Sequence, residues 1–351
     1  MRHNVLNSPK YQSDFNLLQS SLDRLCWNSA GGGVFMVHFF QQAVRELERN
    51  PRFALGLIAR VKGSSPQKQG AKALFFPDDR MLGTLGGGCL EAEIRRRARR
   101  ALASGQPESF NLTLDHDFGW DDGLICGGTV SGLILPRAAE AAEIWRALAR
   151  RDATRLWGVR EDFSIDWAED DAGTGWLYRE TVSPPLALWI AGSGHIAQAV
   201  APLALDLDFD VTIFDDRPEL ASREYFPEGA HLRVGNWGDL FDVPLPSQPA
   251  LGLIVTRGHQ HDANVLADWI RKPFLFLGMI GSRRKSRVIR EGLLKKQMAT
   301  AEEIARVASP VGLDIGAESV QEIAISILAQ YVQQRAAHGA RTRTERDKIL
   351  R

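Results

Sequence analysis

Two cysteines set among glycines are the residues of this chain best suited to chemistry. Cys89 follows Gly86-Gly87-Gly88, and Cys126 precedes Gly127-Gly128 in the run GLICGG. Cys89 stands just before a segment with helical character, where a helix amino terminus favours thiolate over thiol. Thiolate sulfur is soft, which suits a thiolate-binding metal or a persulfide. Flanking glycines leave the backbone open to a ligand. A free cysteine is ordinarily a small buried hydrophobe, but two, each embedded in glycine, point to exposed chemistry. The loop GSSPQKQGAK, from Gly63 to Lys72, adds hydroxyls and lysines that could hold phosphate, and equally reads as an ordinary polar turn. The third cysteine, Cys26, lies in a polar leading segment and is given no role. Three cysteines cannot all pair with one another and no C-x-x-C spacing occurs, which fits a reduced, cytoplasmic setting.

A second set of candidates lies beyond residue 190. AGSGHIA, Ala191 to Ala197, separates an apolar strand from a helix. Gly192 and Gly194 permit a tight turn and close approach of a pyrophosphate, His195 opens the helix, and Ala197 takes the place of a third glycine. Asp215, 23 residues after Gly192, falls where an acid could take a ribose hydroxyl. TRGHQHD, Thr256 to Asp262, follows another strand and brings Arg257, His259, His261 and Asp262 to the same edge. The two histidines and Asp262 could ligate a metal if the segment is extended, although a third ligand on the shared face is not evident; polar residues fixing a turn are the plainer reading. In GMIGSRRKS, Gly281 and Ser282 open a helix whose positive end is surrounded by Arg283, Arg284 and Lys285, an anion site in composition or else a basic helix face.

These residues need a frame. The chain has 351 residues, with 43 Lys plus Arg against 43 Asp plus Glu, so no global field favours nucleic acid or acidic lipid. Apolar runs around Ile190 and Phe276 stop at glycine well short of the ~20 residues that span a bilayer, so no membrane segment is expected. Residues 1–35 read as a disordered extension without the pattern of a secretory signal. Residues 36–150 read as an α+β domain carrying Cys89 and Cys126, opened by a helix with Phe39, Phe40, Val44 and Leu47 at helical spacing. Within it, the arginines from Arg95 to Arg100 are expected on a solvated helix face. Residues 151–185 read as a connector, 186–338 as a Rossmann-like, doubly wound parallel sheet, and 339–351 as a charged tail. The closing helix begins with a capping box, Ser319 with Glu322, and carries an apolar stripe from Ile323 to Leu328 that is expected to pack within the domain, a homodimer being the other use. No G-x-S-x-G elbow, Walker loop or H-E-x-x-H helix occurs, so the chain looks built to hold a ligand rather than to convert one.

Taken together, the motifs resemble the XdhC/CoxI family, maturation factors of molybdenum hydroxylases such as xanthine dehydrogenase. The resemblance runs from about Phe53 to Ala336 and rests on GSSPQKQGAK, GGGCLEAE, GLICGGT, AGSGHIAQAVAPLA, VTIFDDRPELA, TRGHQHD, GMIGSRRK and PVGLDIGAESVQEIAISILAQ. It implies a non-enzymatic role: binding molybdenum cofactor (molybdopterin), shielding it while a terminal oxygen is exchanged for sulfur, and inserting it into an apo-hydroxylase, with a cysteine desulfurase as sulfur donor. Cys89 and Cys126 carry over as cofactor contacts and molybdenum ligands, and Gly192, Gly194 and His195 as the nucleotide-fold turn. Gly87, Gly88, Gly127, Asp215, Arg257, His259, Gly281, Ser282 and Arg283 complete the expected cofactor-binding set, with a nucleotide at the Rossmann-like turn as a further option. The expected placement is a cleft between domains, phosphate toward Ser282 to Lys285 and metal toward the cysteines. Ser193, where many relatives have alanine, and the first 35 residues depart from the family pattern. The main rival is an NAD(P)-binding oxidoreductase with His195 or His259 as proton donor, favoured by Asp215. A nucleotide-bound scaffold and a carrier using a Cys89 persulfide alone are the others.

Overall fold

The computed structural model describes residues 39–49, 52–114, 128–169 and 174–349. Cys26, Cys126 and Gly127 lie outside them. The first region runs α1 (Phe39–Arg49), β1 (Ala54–Lys62), β2 (Lys72–Phe75), β3 (Met81–Gly83), α2 (Gly88–Ser104), β4 (Glu108–Thr113), β5 (Thr129–Leu135), α3 (Ala142–Arg150), β6 (Arg155–Arg160), β7 (Ile165–Trp167) and β8 (Trp176–Val182).

Strands β1 to β5 form an antiparallel sheet in the order β3-β2-β1-β5-β4. Both faces are buried around the first half of β1, which is why FALGLIA, Phe53 to Ala59, carries no polar side chain before Arg60. Ala54 and Ile58 face Leu90, Ile94, Ala98, Ala101 and Leu102 of α2, at the three- and four-residue spacing of one helix face. Phe53, Leu55 and Leu57 point the other way, into a core with Phe40 of α1 and Trp145 of α3. Each of these large side chains contributes roughly 1.5–3 kcal/mol by leaving water. Helix α2 stops at Gly105, whose left-handed φ of 71° lets its N–H reach the Ala101 carbonyl.

Residues 151–185, read from the sequence as a connector with strand-like pieces at RLWGVR and GWLYRE, carry the three-stranded sheet β7-β6-β8, in which those two pieces are β6 and the start of β8. Its Trp157, Val159 and Tyr178 are buried with Phe40 and Trp145, and the Trp145 and Trp157 rings meet edge to face at 5.3 Å. The aromatic residues of RLWGVR and GWLYRE therefore complete the first core.

The register of the larger sheet decides where its loops emerge. Lys62 at the end of β1 and Thr113 at the end of β4 stand beside Thr129 at the start of β5, and Gly83 at the end of β3 stands opposite Ala73 near the start of β2. The loops beginning at residues 63, 84 and 114 thus leave one and the same edge.

The second region runs β9 (Ala187–Ala191), α4 (His195–Asp206), β10 (Asp210–Asp215), β11 (His231–Val234), α5 (Trp237–Phe241), β12 (Ala250–Ile254), α6 (His259–Trp269), β13 (Phe276–Met279), α7 (Arg283–Lys295), α8 (Ala301–Ala305), β14 (Val307–Ala308) and α9 (Val320–Ile349). All six strands pair in parallel in the order β11-β10-β9-β12-β13-β14, the 3-2-1-4-5-6 arrangement of a Rossmann sheet. Leu188 and Ile190 pack on α4 and α9, while Trp189 and Ala191 pack on α6 and α7. Ile327 and Leu328 of the closing helix are buried in the first of these layers, with Ile323 packed against it. The strand order reverses at β9, so the ligand crevice of such a sheet lies outside the carboxyl ends of β9 and β12.

Candidate functional site

The edge of the antiparallel sheet is built around three glycines that all take positive φ: 111° at Gly86, 69° at Gly87 and 56° at Gly88. Side chains rarely adopt that region, so three in succession fix the turn into α2. A methyl group at Gly86 would come within 2.8 Å of Cβ of Pro66, and one at Gly128 within 2.0 Å of the Ser64 carbonyl oxygen. The polar loop Gly63 to Gly70 is therefore wedged between the turn that precedes Cys89 and the glycine that follows Cys126 and Gly127. The structure brings two of the three sequence motifs, and the start of β5, to one place.

Cys89 is the second residue of α2, partly exposed and not in a disulfide. Sequence reasoning missed its neighbour Glu91. This carboxylate folds back over the turn, and its Oε2 accepts from Thr84 Oγ1 at 3.0 Å, Leu85 N at 3.0 Å and Gly87 N at 3.4 Å. An acid in the first turn after a glycine run was the available signal. Beside it an open groove of about 400 Å³ is lined by Gly88, Glu91, Ala92, Arg95, Arg96 and Arg99. The arginine face is more heavily paired than a plain solvated face: Arg96 and Arg97 pair with Glu93, Arg97 also with Glu108, and Arg99 with Asp79. Among the described residues Arg95 pairs with no carboxylate and reaches the sulfur of Met81 at 3.7 Å.

At the parallel sheet, Gly192, Gly194, His195, Asp215, Arg257 and His259 lie around the β9 and β12 ends. Gly192, at φ 112°, is so close to the next loop that a methyl there would sit 2.4 Å from the Val255 carbonyl oxygen. Ala197 is fully buried on the sheet, as close helix packing requires. Asp215, expected to read a ribose hydroxyl, has other partners. It is 1% exposed, and its Oδ2 accepts from Ser193 N at 2.7 Å and from an Arg217 terminal nitrogen at 2.9 Å. Its Oδ1 accepts from Arg217 N at 3.0 Å and Arg217 Nε at 2.9 Å. Burial pushes this carboxyl up, but the Arg217 guanidinium and the Ser193 bonds outweigh it and bring the pKa down to about 2. An arginine two residues after the acid was the signal for this use.

The TRGHQHD segment is helical from His259, not extended, so His259 and His261 point away from one another and Asp262 turns inward. Asp262 is fully buried; its Oδ1 accepts from Thr256 N at 3.1 Å and Thr256 Oγ1 at 2.6 Å, and Lys285 pairs with Oδ2. Among the described residues no group of three or more His, Cys, Asp or Glu is placed to hold a metal ion. The anion reading of GMIGSRRKS changes as well. Ser282 caps α7 by accepting from Lys285 N at 3.2 Å, and the Lys285 ammonium is engaged by Asp262, which leaves Arg283 and Arg284 exposed.

An α+β region with a glycine-cradled cysteine, followed by a Rossmann sheet, defines the class. Two family models match these regions: the XdhC and CoxI family over residues 46–116 and the XdhC Rossmann domain over residues 188–331. The chain belongs to the XdhC/CoxI family. It is 29% identical over 298 residues to YqeB of Escherichia coli K12, described as uncharacterized, covering 85% of this chain but 46% of YqeB, so it spans less than half of that relative. It is 22% identical over 322 residues to a probable xanthine dehydrogenase subunit of Bacillus subtilis 168, covering 82% of this chain and 95% of that one. Identity is 26% over 299 residues to the molybdenum cofactor insertion chaperone PaoD of E. coli K12, covering 82% and 85%. The crystal structure of a Bacillus halodurans protein described as a xanthine dehydrogenase superposes with a TM-score of 0.71 at 23% identity, covering 85% of this chain and 96% of that one, which shows a shared fold. Among the described residues, no helix is long and apolar enough to cross a membrane.

Proposed function

We propose that this chain is a maturation factor for a xanthine dehydrogenase-type molybdenum hydroxylase: it holds molybdenum cofactor, protects it during sulfuration and inserts it into the apo-enzyme. The observation that carries this reading is Cys89, partly exposed at the amino end of α2, on the edge where the polar loop Gly63 to Gly70 and the glycine turn meet. The names of PaoD and of the B. subtilis relative support it. A cysteine desulfurase would be the sulfur donor, and a dimer of the chain is compatible with the role.

The residues fit the cofactor in kind. Cys89 offers one soft sulfur to a molybdenum dithiolene, with Cys126 as its proposed partner. Arg95, in the adjoining groove and without a carboxylate partner among the described residues, offers a guanidinium to an anionic group. Glu91 holds the amides of Leu85 and Gly87, so those two donors come free only if its carboxylate moves. Molybdenum cofactor, when bound, supplies the metal centre of the client hydroxylase. The domain arrangement proposed is the α+β region holding the metal end and the carboxyl edge of the Rossmann sheet receiving the phosphate. The NAD(P) oxidoreductase reading loses its favoured residue, because Asp215 is engaged by Arg217 and Ser193.

The test is activation of an apo-hydroxylase in extracts supplied with cofactor and sulfur donor. Cys89→Ala and Cys126→Ala should each lower activation at least tenfold while leaving the fold intact by circular dichroism. Full activation by both variants rejects the cysteine-based reading.

A further inference from the structure

We propose that Lys72 and Glu180 are positioning residues for the edge that carries Cys89, a clamp by which the sheet β7-β6-β8 sets the shape of the Gly63 to Gly70 loop. The proposal deepens the function given above and rests on it for the identity of the ligand. Lys72 closes the motif GSSPQKQGAK, whose lysines read from the sequence as candidates for holding phosphate. Lys68 is exposed, as that reading needs. Lys72 is not: its side chain is 8% exposed, and its ammonium lies 5.7 Å from the centre of the Phe40 ring and 6.0 Å from that of Trp157.

There the ammonium donates to the Gly70 carbonyl oxygen at 2.7 Å and pairs with both carboxylate oxygens of Glu180, at 2.8 and 2.7 Å. Glu180 stands on β8, 108 residues further along the chain. Tyr178, two residues before it and on the same face of the strand, is buried, and its phenol reaches the same bend. A methyl group at Gly70 would lie 3.2 Å from the Tyr178 hydroxyl oxygen and 3.9 Å from Glu180 Oε1. Burial, with the charge and hydrogen bond of Glu180, keeps that phenol protonated far above its usual range. Gly70 itself sits at φ 91°, and its N–H donates to the Ile58 carbonyl of β1 at 2.8 Å. The loop therefore has supports of two kinds. The contacts of Ser64 with Gly128 and of Pro66 with Gly86 limit how close the loop can come to the glycine turns. The support at Gly70 is charged, directional and supplied by a different sheet. An ammonium withdrawn from water is a costly way to fill space between two aromatic rings, and a neutral pair of similar volume would serve stability at least as well. What the ion pair adds is direction: it fixes the Gly70 carbonyl toward β8, and with it the path of the loop beside Gly86 and Gly128.

The test compares the full wild-type chain with a double variant, Lys72→Met with Glu180→Gln, which removes both charges together so that neither is stranded and leaves Tyr178 an acceptor. Two quantities are read: amide hydrogen exchange by mass spectrometry, and the pterin recovered from chain purified out of cells that make the cofactor. The double variant should melt no lower than wild type. Its residues 63–71 should exchange about tenfold faster while Ala187–Ala191 of β9 exchange unchanged, and it should carry about fivefold less pterin. Loss of pterin at undiminished stability separates a positioning pair from one that only holds the fold together. Cys89→Ala should lose pterin with the exchange of residues 63–71 unchanged. Wild type without pterin rejects the function proposed above, and the exchange comparison then decides the clamp by itself. A double variant that exchanges like wild type, carries as much pterin, or loosens equally at β9 overturns the proposal. So does a wild-type chain whose Gly70 and Ala71 amides exchange as fast as those of an unfolded peptide, a result that requires no variant to fold.

Discussion

At Gly86-Gly87-Gly88 the carboxylate that closes the glycine turn comes from Glu91, in the same helix, half-buried and bound to amides of the turn itself. At Gly192-Ser193-Gly194 it comes from Asp215 on the neighbouring strand, buried and clasped by Arg217. The first closure is local and can open by rotating one side chain. The second is tertiary and belongs to the sheet, so opening it means separating β9 from β10. A turn of the first kind can yield its donors to a ligand; a turn of the second kind is a fixed platform.

Removing the tertiary closure should have the largest effect. Asp215→Ala strands the Arg217 guanidinium and the Ser193 amide, and should lower unfolding free energy by about 3–5 kcal/mol in urea titrations. The acid dependence sharpens the same point. Because the folded pKa of Asp215 is about 2 against 3.8 for the free side chain, its contribution is complete above pH 4 and is lost as pH falls toward 2. Thermal melts of Asp215→Asn should accordingly fall less steeply than wild type across that window; parallel curves would mean that Asp215 is not held down. Gly192→Ala comes next, at about 2–4 kcal/mol, since it combines an unfavourable φ with overlap on the Val255 carbonyl. Glu91→Ala should cost only about 1 kcal/mol, the scale of a lost helix cap, and a loss as large as that of Asp215→Ala would erase the distinction between the two turns.

Much of the frame was legible because apolar runs and glycine turns are local signals. FALGLIARV, LALWIAG and FDVTIFD each fill a buried strand, and AGSGHIA marks the switch point. Strands β3, β11 and β14 left no such trace: Met81–Gly83 is only three residues long and partly buried, His231–Val234 is short and largely exposed, Val307–Ala308 is only two residues long, and neighbouring strands supply their register. The candidate site was legible in its residue types and less so in its wiring. Asp215 was picked out as the acid of the crevice, but its capture by Arg217 depends on side-chain reach. The Asp262 to Lys285 pair joins the helices after β12 and β13, and so appears only once those strands are neighbours. The aromatic residues of 151–185 alternate too briefly to announce a sheet, and their meaning comes from the Phe40 and Trp145 surface they cover.

The claim on which the functional reading stands is that the edge carrying Cys89 holds a pterin. The most direct measurement is the fluorescence of oxidised pterin, together with molybdenum, recovered from the full chain purified out of cells that make the cofactor. Wild type should carry both in near-stoichiometric amount, and Cys89→Ala should carry less than a tenth as much at equal thermal stability. Wild type that carries no pterin, or a Cys89→Ala chain that carries as much as wild type, contradicts it.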